Sequence, residues 1–181
     1  MTADESPLAT RLQEAFPPGI LLPRGIEVLC EYLDAHGYPI SGCFEIDAVH
    51  GVAEVEHWFR PEARGRVAVF GRGADGTAYA LWLCGGRNPV NAPVVMLGSE
   101  GDVAVLAATP LAFCSLLGCG YDELGVDPFG EPPGSQEETA PLREWLKDNL
   151  GLDCPNSGEE IVAAAPEGLP DFHAWVGEHR A

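Results

Sequence analysis

Apolar positions change their spacing twice along this chain, and the changes divide it into three regions. Leu8 to Phe16 carries a helical pattern and is closed by Pro17-Pro18-Gly19. In "PRGIEVLCEYLDAHG", Ile26, Leu29, Cys30 and Leu33 recur on one helical face, and Gly37 supplies a stop. From Cys43 the period becomes two. "CFEIDAV" alternates Phe44, Ile46 and Ala48 with Glu45 and Asp47, and "EVEHWF" continues with Val55, His57 and Phe59 in register. "RVAVF", "TAYALWL", "PVVML" and "VAVLA" follow, separated by glycine-rich turns, with Gly98-Ser99-Glu100-Gly101 as a hairpin loop. Short consecutive strands favour antiparallel pairing.

Helical spacing then returns. Thr109 can cap and Pro110 can open a helix bearing Leu111, Cys114 and Leu117, with Gly118 and Gly120 near its end. Beyond an acidic, Pro/Gly-rich stretch at 121–136, "TAPLREWLKDNLG" places Leu142, Trp145, Leu146 and Leu150 on one face. Ser157 and Glu160 have the spacing of a capping box, and "LPDFHAWVGEH" offers Phe172, Trp175 and Val176 as a last docking face. The expected architecture is one α+β domain over residues 1–181. Its centre is a mostly antiparallel sheet of about six strands, with an N-terminal helix and several C-terminal helices packed on it.

Composition supports this reading. With 181 residues, 46% of them hydrophobic and 21% charged, the chain can bury one sizeable core. No apolar run nears the ~18 residues of a membrane helix. The acidic, polar opening "MTADESPLATRLQEAF" differs from a basic, then apolar, export signal, so a cytoplasmic protein without membrane association is expected. The six cysteines form no C-x-x-C and fall largely in apolar patterns, where reduced, buried thiols are expected.

Inside "FGRGADGTAYALWL", Gly71, Gly73 and Gly76 spell G-x-G-x-x-G. A dinucleotide site needs a helix directly after these glycines, because its N-terminal amides hold the pyrophosphate. Here a β-branched and aromatic run follows, and Asp75-Gly76 is a tight-turn dipeptide, so a hairpin and no cofactor are expected. His50, Glu54, Glu56 and His57 lie close in sequence without a metal-ligand spacing; in a strand, Glu54 and Glu56 would share one face and His57 the other. Neither Ser99 nor Ser115 sits in a G-x-S-x-G elbow, and no carboxylate pair stands out, so neither a metal nor a catalytic residue is assigned. Trp58, Trp82, Trp145 and Trp175 could form a stacking platform, but each lies in an apolar period and reads as core.

Charge carries more information. The chain has 28 acids against 10 bases, a net charge of −18, which argues against electrostatic binding of nucleic acid. Residues 121–160 hold 11 acids and 2 bases, a balance of −9. Arg60, Arg64, Arg66 and Arg72, by contrast, gather four of the ten bases. Asp122, Glu123, Asp127, Glu131, Glu137 and Glu138 are therefore the candidate contacts for a basic protein partner; a merely solvated acidic segment is the alternative.

The order of these pieces resembles the SUKH superfamily of bacterial toxin-immunity proteins and fungal cell-wall assembly regulators. The likeness lies in an early amphipathic helix, then "FGRGADGTAYALWL", then "APVVMLGSEGDVAVLAATPLAFCSLL", and spans roughly residues 23–120. It implies an α+β fold without enzymatic activity or catalytic residues. It also implies binding and neutralisation of a cognate toxin such as a nuclease or deaminase. A regulatory or scaffolding domain of the same fold, and a small-molecule enzyme with an unrecognised pocket, are the other readings.

Overall fold

The computed structural model describes residues 6–41, 43–86, 88–125, 129 and 137–181. It is an α+β fold built on a five-stranded antiparallel meander in the order β1-β2-β3-β4-β5. The strands are β1 (Glu45–Ile46), β2 (Val67–Arg72), β3 (Ala78–Trp82), β4 (Val94–Leu97) and β5 (Val103–Ala107). The helices are α1 (Leu8–Ala15), α2 (Arg24–His36), α3 (Gly51–Trp58), α4 (Pro61–Arg64), α5 (Pro110–Cys119), α6 (Ala140–Leu150), α7 (Glu159–Ala164) and α8 (Phe172–His179).

Alternation along the strands feeds two separate cores. Ala68, Phe70, Tyr79, Leu81, Val94, Met96 and Leu106 pack with residues of α1, α2, α5 and α6. Val67, Val69, Ala78, Ala80, Trp82, Val95 and Leu97 pack with residues of α3, α4 and α8. Every residue of β3 and β4 is buried, so the centre of the sheet is covered on both faces. Trp82 is fully buried beside Ala78 and Ala80, with Phe172 and Trp175 against its ring at centroid distances of 4.7 and 5.4 Å. Its indole Nε1–H has no hydrogen-bond partner among the described residues. Burying an aromatic ring stabilises by about 4–6 kcal/mol at ~25 cal/mol per Å². That exceeds the roughly 1–3 kcal/mol cost of one unsatisfied donor, so the site is still worth occupying with an indole.

Helix limits follow from local chemistry. Asp34 Oδ2 accepts the Leu8 N–H at 3.0 Å at the start of α1, and Phe16, ahead of Pro17, turns extended at its end. Gly37, at φ +75°, closes α2 by donating to the Leu33 carbonyl. Thr109 Oγ1 accepts the Ala112 N–H at 3.2 Å, and Pro110 opens α5 as expected.

Two sequence expectations are corrected. Residues of "EVEHWF" form helix α3 rather than a strand, which leaves five strands instead of six. Val55 and Phe59 suit either period, but Gly51, Val55 and Trp58 make a buried helical stripe. Gly51 lets the helix press onto β2, where an added Cβ would lie 3.1 Å from the Val69 carbonyl oxygen. The Ser157–Glu160 capping box does not form. Ser157 Oγ donates to the Phe129 carbonyl and accepts from Glu159 N–H, while Gly158 occupies the cap position of α7.

The three glycines of G-x-G-x-x-G lie in β2 and the β2–β3 hairpin, and a strand follows them. The β2–β3 register slips between Val69 and Gly71, a bulge. Gly71 is required by packing, since a Cβ there would fall 2.5 Å from Phe44 Cε2; Gly76 is required by its φ of +90°. Gly71→Ala is expected to cost roughly 1–3 kcal/mol by overpacking, and Gly76→Val a comparable amount by backbone strain. Gly65→Ala, with open space around it and φ −70°, should stay within about 0.5 kcal/mol of the parent. Denaturant titration of the three variants measures this; a Gly71→Ala protein as stable as the parent would contradict the packing role.

Candidate functional site

The described part of the acidic segment, residues 121–125 and 129, follows α5 directly and is held through its backbone. Cys43 N–H donates to the Asp122 carbonyl at 2.9 Å, and Tyr79 OH donates to the Leu124 carbonyl at 2.8 Å. Tyr121 OH donates to the Phe129 carbonyl at 2.7 Å and accepts from Gly158 N–H at 2.9 Å. With Leu124 buried as an anchor, Asp122 and Glu123 remain exposed. Asp75, in the β2–β3 turn, joins them around one pocket. Its carboxylate accepts from Thr77 N–H and Thr77 Oγ1 at 3.0 and 2.8 Å. The pocket also touches Cys43, Phe44 and Tyr79 and has a volume of about 40 Å³. Ligand pockets for metabolites run to ~300 Å³ or more, so this one admits at most a side-chain tip or a water. Burial raises the Tyr79 phenol well above its ordinary pKa, and the nearby charges of Asp75 and Glu123 raise it further. Tyr79 therefore serves as a neutral hydrogen-bond donor.

Asp75, Asp122 and Glu123 form no ion pair among the described residues. Glu137 and Glu138 are exposed just ahead of α6 and do not line this pocket. Asp127 and Glu131 lie outside the described residues. Among the described residues, two of the four clustered arginines have acidic partners: Arg64 meets Glu56 at 3.5 Å, and Arg72 meets Glu45 at 3.6 Å.

A second cleft, of about 340 Å³, includes Asp47, His50, Glu54 and Arg72. Asp47, buried, accepts from the backbone N–H groups of Val49 and His50, each at 2.9 Å, and faces His50 Nδ1 at 3.1 Å. A carboxylate behind an imidazole fixes the ring's orientation, as in general-base pairs, but among the described residues no Ser, Thr or Cys lines the cleft. Because α3 is a helix, Glu54 and His57 do not have the strand facing expected from sequence; Glu54 Oε1 accepts the Trp58 indole N–H at 2.9 Å. Among the described residues no three His, Cys, Asp or Glu side chains gather as metal ligands. All six cysteines are free. Burial pushes the Cys119 thiol up to about 11 and the Cys30 thiol up to about 12, away from nucleophilic thiolate.

Comparison with protein-family models, with curated proteins and with solved structures finds no match for this chain. The likeness to the SUKH superfamily rests on the order of its sequence elements alone. No helix among the described residues is long and apolar enough to cross a membrane.

Asp47 yields a pH prediction. Burial raises its carboxyl pKa, but hydrogen bonds from the His50 and Val49 amides, together with the His50 ring, outweigh that, and the net shift is downward. A depressed folded-state pKa contributes stability above the unfolded value of ~3.9, lost as pH falls through the folded value. Asp47→Asn should therefore lower stability by about 1 kcal/mol at pH 7, with the deficit shrinking below about pH 4. Urea titrations across pH measure this; a constant deficit would mean that the carboxylate charge is not what the turn uses.

Proposed function

We propose that this chain is a cytoplasmic, non-enzymatic protein-binding domain that receives a basic partner at its acidic end. In the form implied by the SUKH likeness, it binds and neutralises a cognate bacterial toxin such as a nuclease or deaminase. The observation that carries the reading is the exposed trio Asp75, Asp122 and Glu123. These carboxylates lie on hydrogen-bonded backbone, without ion pairs among the described residues, around a pocket too small for a metabolite.

The physics of such a face is steering. At a net charge of −18 the molecule attracts a cationic protein from beyond contact distance, within a Debye length of ~8 Å at physiological salt. A surface that binds phosphate is itself basic, so a fixed carboxylate cluster can compete for it. Fixing the backbone in advance reduces the ordering cost of association.

The test pairs the protein with a basic toxin encoded beside its gene. Asp122→Lys with Glu123→Lys should slow association roughly tenfold at low salt, with a smaller effect at 0.5 M salt, and should abolish protection of toxin-expressing cells. Glu137→Lys with Glu138→Lys reports whether the surface extends to α6, and Glu178→Lys, on α8, is the control. Unchanged association rates with full protection by the Asp122/Glu123 variant would overturn this face as the contact.

A further inference from the structure

Along β2, at the far end from the acidic turn, lies a groove of about 430 Å³. One wall is the end of α1 with Phe16 and Pro17, the other is α3 with Val52 and Val55, and Val67 and Val69 form the floor. Val52 is 57% exposed at the mouth, so part of the apolar surface already faces solvent. Glu14, Glu56 and Arg64 make up the charged rim.

That rim is biased towards a cation. Arg64 is committed elsewhere: its Nε donates to the Phe59 carbonyl at 3.0 Å and its Nη1 meets Glu56 Oε1 at 3.5 Å. Glu14 has no ion pair among the described residues. The adjoining C-terminus of α1 adds partial negative charge, and its last turn carries no basic residue to offset it. Pro17 and Pro18 have no N–H, so Gln13 and Glu14 lose their i+4 donors. Phe16 N–H serves the Gln13 carbonyl at 3.3 Å, and no backbone donor among the described residues serves the Glu14 carbonyl.

We propose that this groove binds a peptide segment of a protein partner in which an apolar side chain is flanked by lysine or arginine. The apolar group lies on Val52, Val55 and Val69. The cation pairs with Glu14 and caps the end of α1. The proposal rests on the protein-binding reading above for its biological partner, but the site can be tested without that partner.

Three capped peptides are titrated into isotope-labelled protein: Val-Lys-Leu-Lys-Val, its glutamate counterpart Val-Glu-Leu-Glu-Val, and Gly-Lys-Gly-Lys-Gly. Amide shifts at Glu14, Phe16, Gly51, Val52 and Gly65 are expected with the first peptide alone. Val52→Lys and Glu14→Lys, each checked for a native spectrum, should weaken its binding at least fivefold. Equal binding of the glutamate peptide, equal binding of the glycine-lysine peptide, shifts confined to Asp122–Gly125, or no shift at several millimolar would each overturn the site. None of these results would touch the toxin assay, so failure of the groove and failure of the proposed function remain distinguishable.

Discussion

Burial of the sheet centre on both faces is the constraint on which the rest of the structure depends. Antiparallel sheets commonly leave one face to water and alternate apolar with polar residues. Here "AYALW" and "VVML" carry no polar residue facing solvent, so each face demands a helical cover. One cover is supplied mainly by α1, α2, α5 and α6, the other by α3, α4 and α8. The second is tied together late in the chain. Arg60 N–H donates to the His179 carbonyl, Ala181 N–H donates to the Trp58 carbonyl, and the Arg180 guanidinium lies 4.9 Å from the Trp58 ring centroid. Segments more than a hundred residues apart thus close over Trp82.

This arrangement also decides where charge can go. With the centre of both sheet faces taken by apolar side chains, the carboxylates of the described residues lie in turns, on helix exteriors or, like Glu45, exposed on the edge strand β1. Tyr79 OH and Cys43 N–H hold the Leu124 and Asp122 carbonyls, which fastens this stretch of backbone to the sheet and to the chain ahead of β1.

Much of the fold was legible because local and tertiary preferences agree. The runs of β2 to β5, the Thr109-Pro110 start and the Gly37 stop were each readable from a few neighbouring residues. Residues 51–58 were not, because Val55 and Phe59 fit period two as well as a helix. The helix buries Val55 and Trp58 against the sheet and brings Gly51 close to Val69, contacts absent from local spacing. Ser157 likewise matches a capping pattern, yet its hydroxyl is drawn to the Phe129 carbonyl, 28 residues away in sequence. At the candidate site, Asp122 and Glu123 could be named from charge density alone. Asp75 could not, since only folding brings the β2–β3 turn beside the segment after α5. The Asp47–His50 pair was hidden for a related reason: the expected strand ends at Val49, and the tight turn that brings His50 back onto the Asp47 carboxylate is not signalled by the local spacing.

Native-state hydrogen exchange, followed amide by amide, tests the central claim that the two helical covers and the sheet form one cooperative unit. Amides of Ala80 and Leu81 in β3, Val55 in α3, Val176 in α8 and Leu116 in α5 should share one limiting free energy, equal to that of global unfolding. Exchange from α3 and α8 several kcal/mol below that limit, with β3 still protected, would contradict it. Such a result would mean that the sheet keeps its structure with Trp82 and Val95 uncovered.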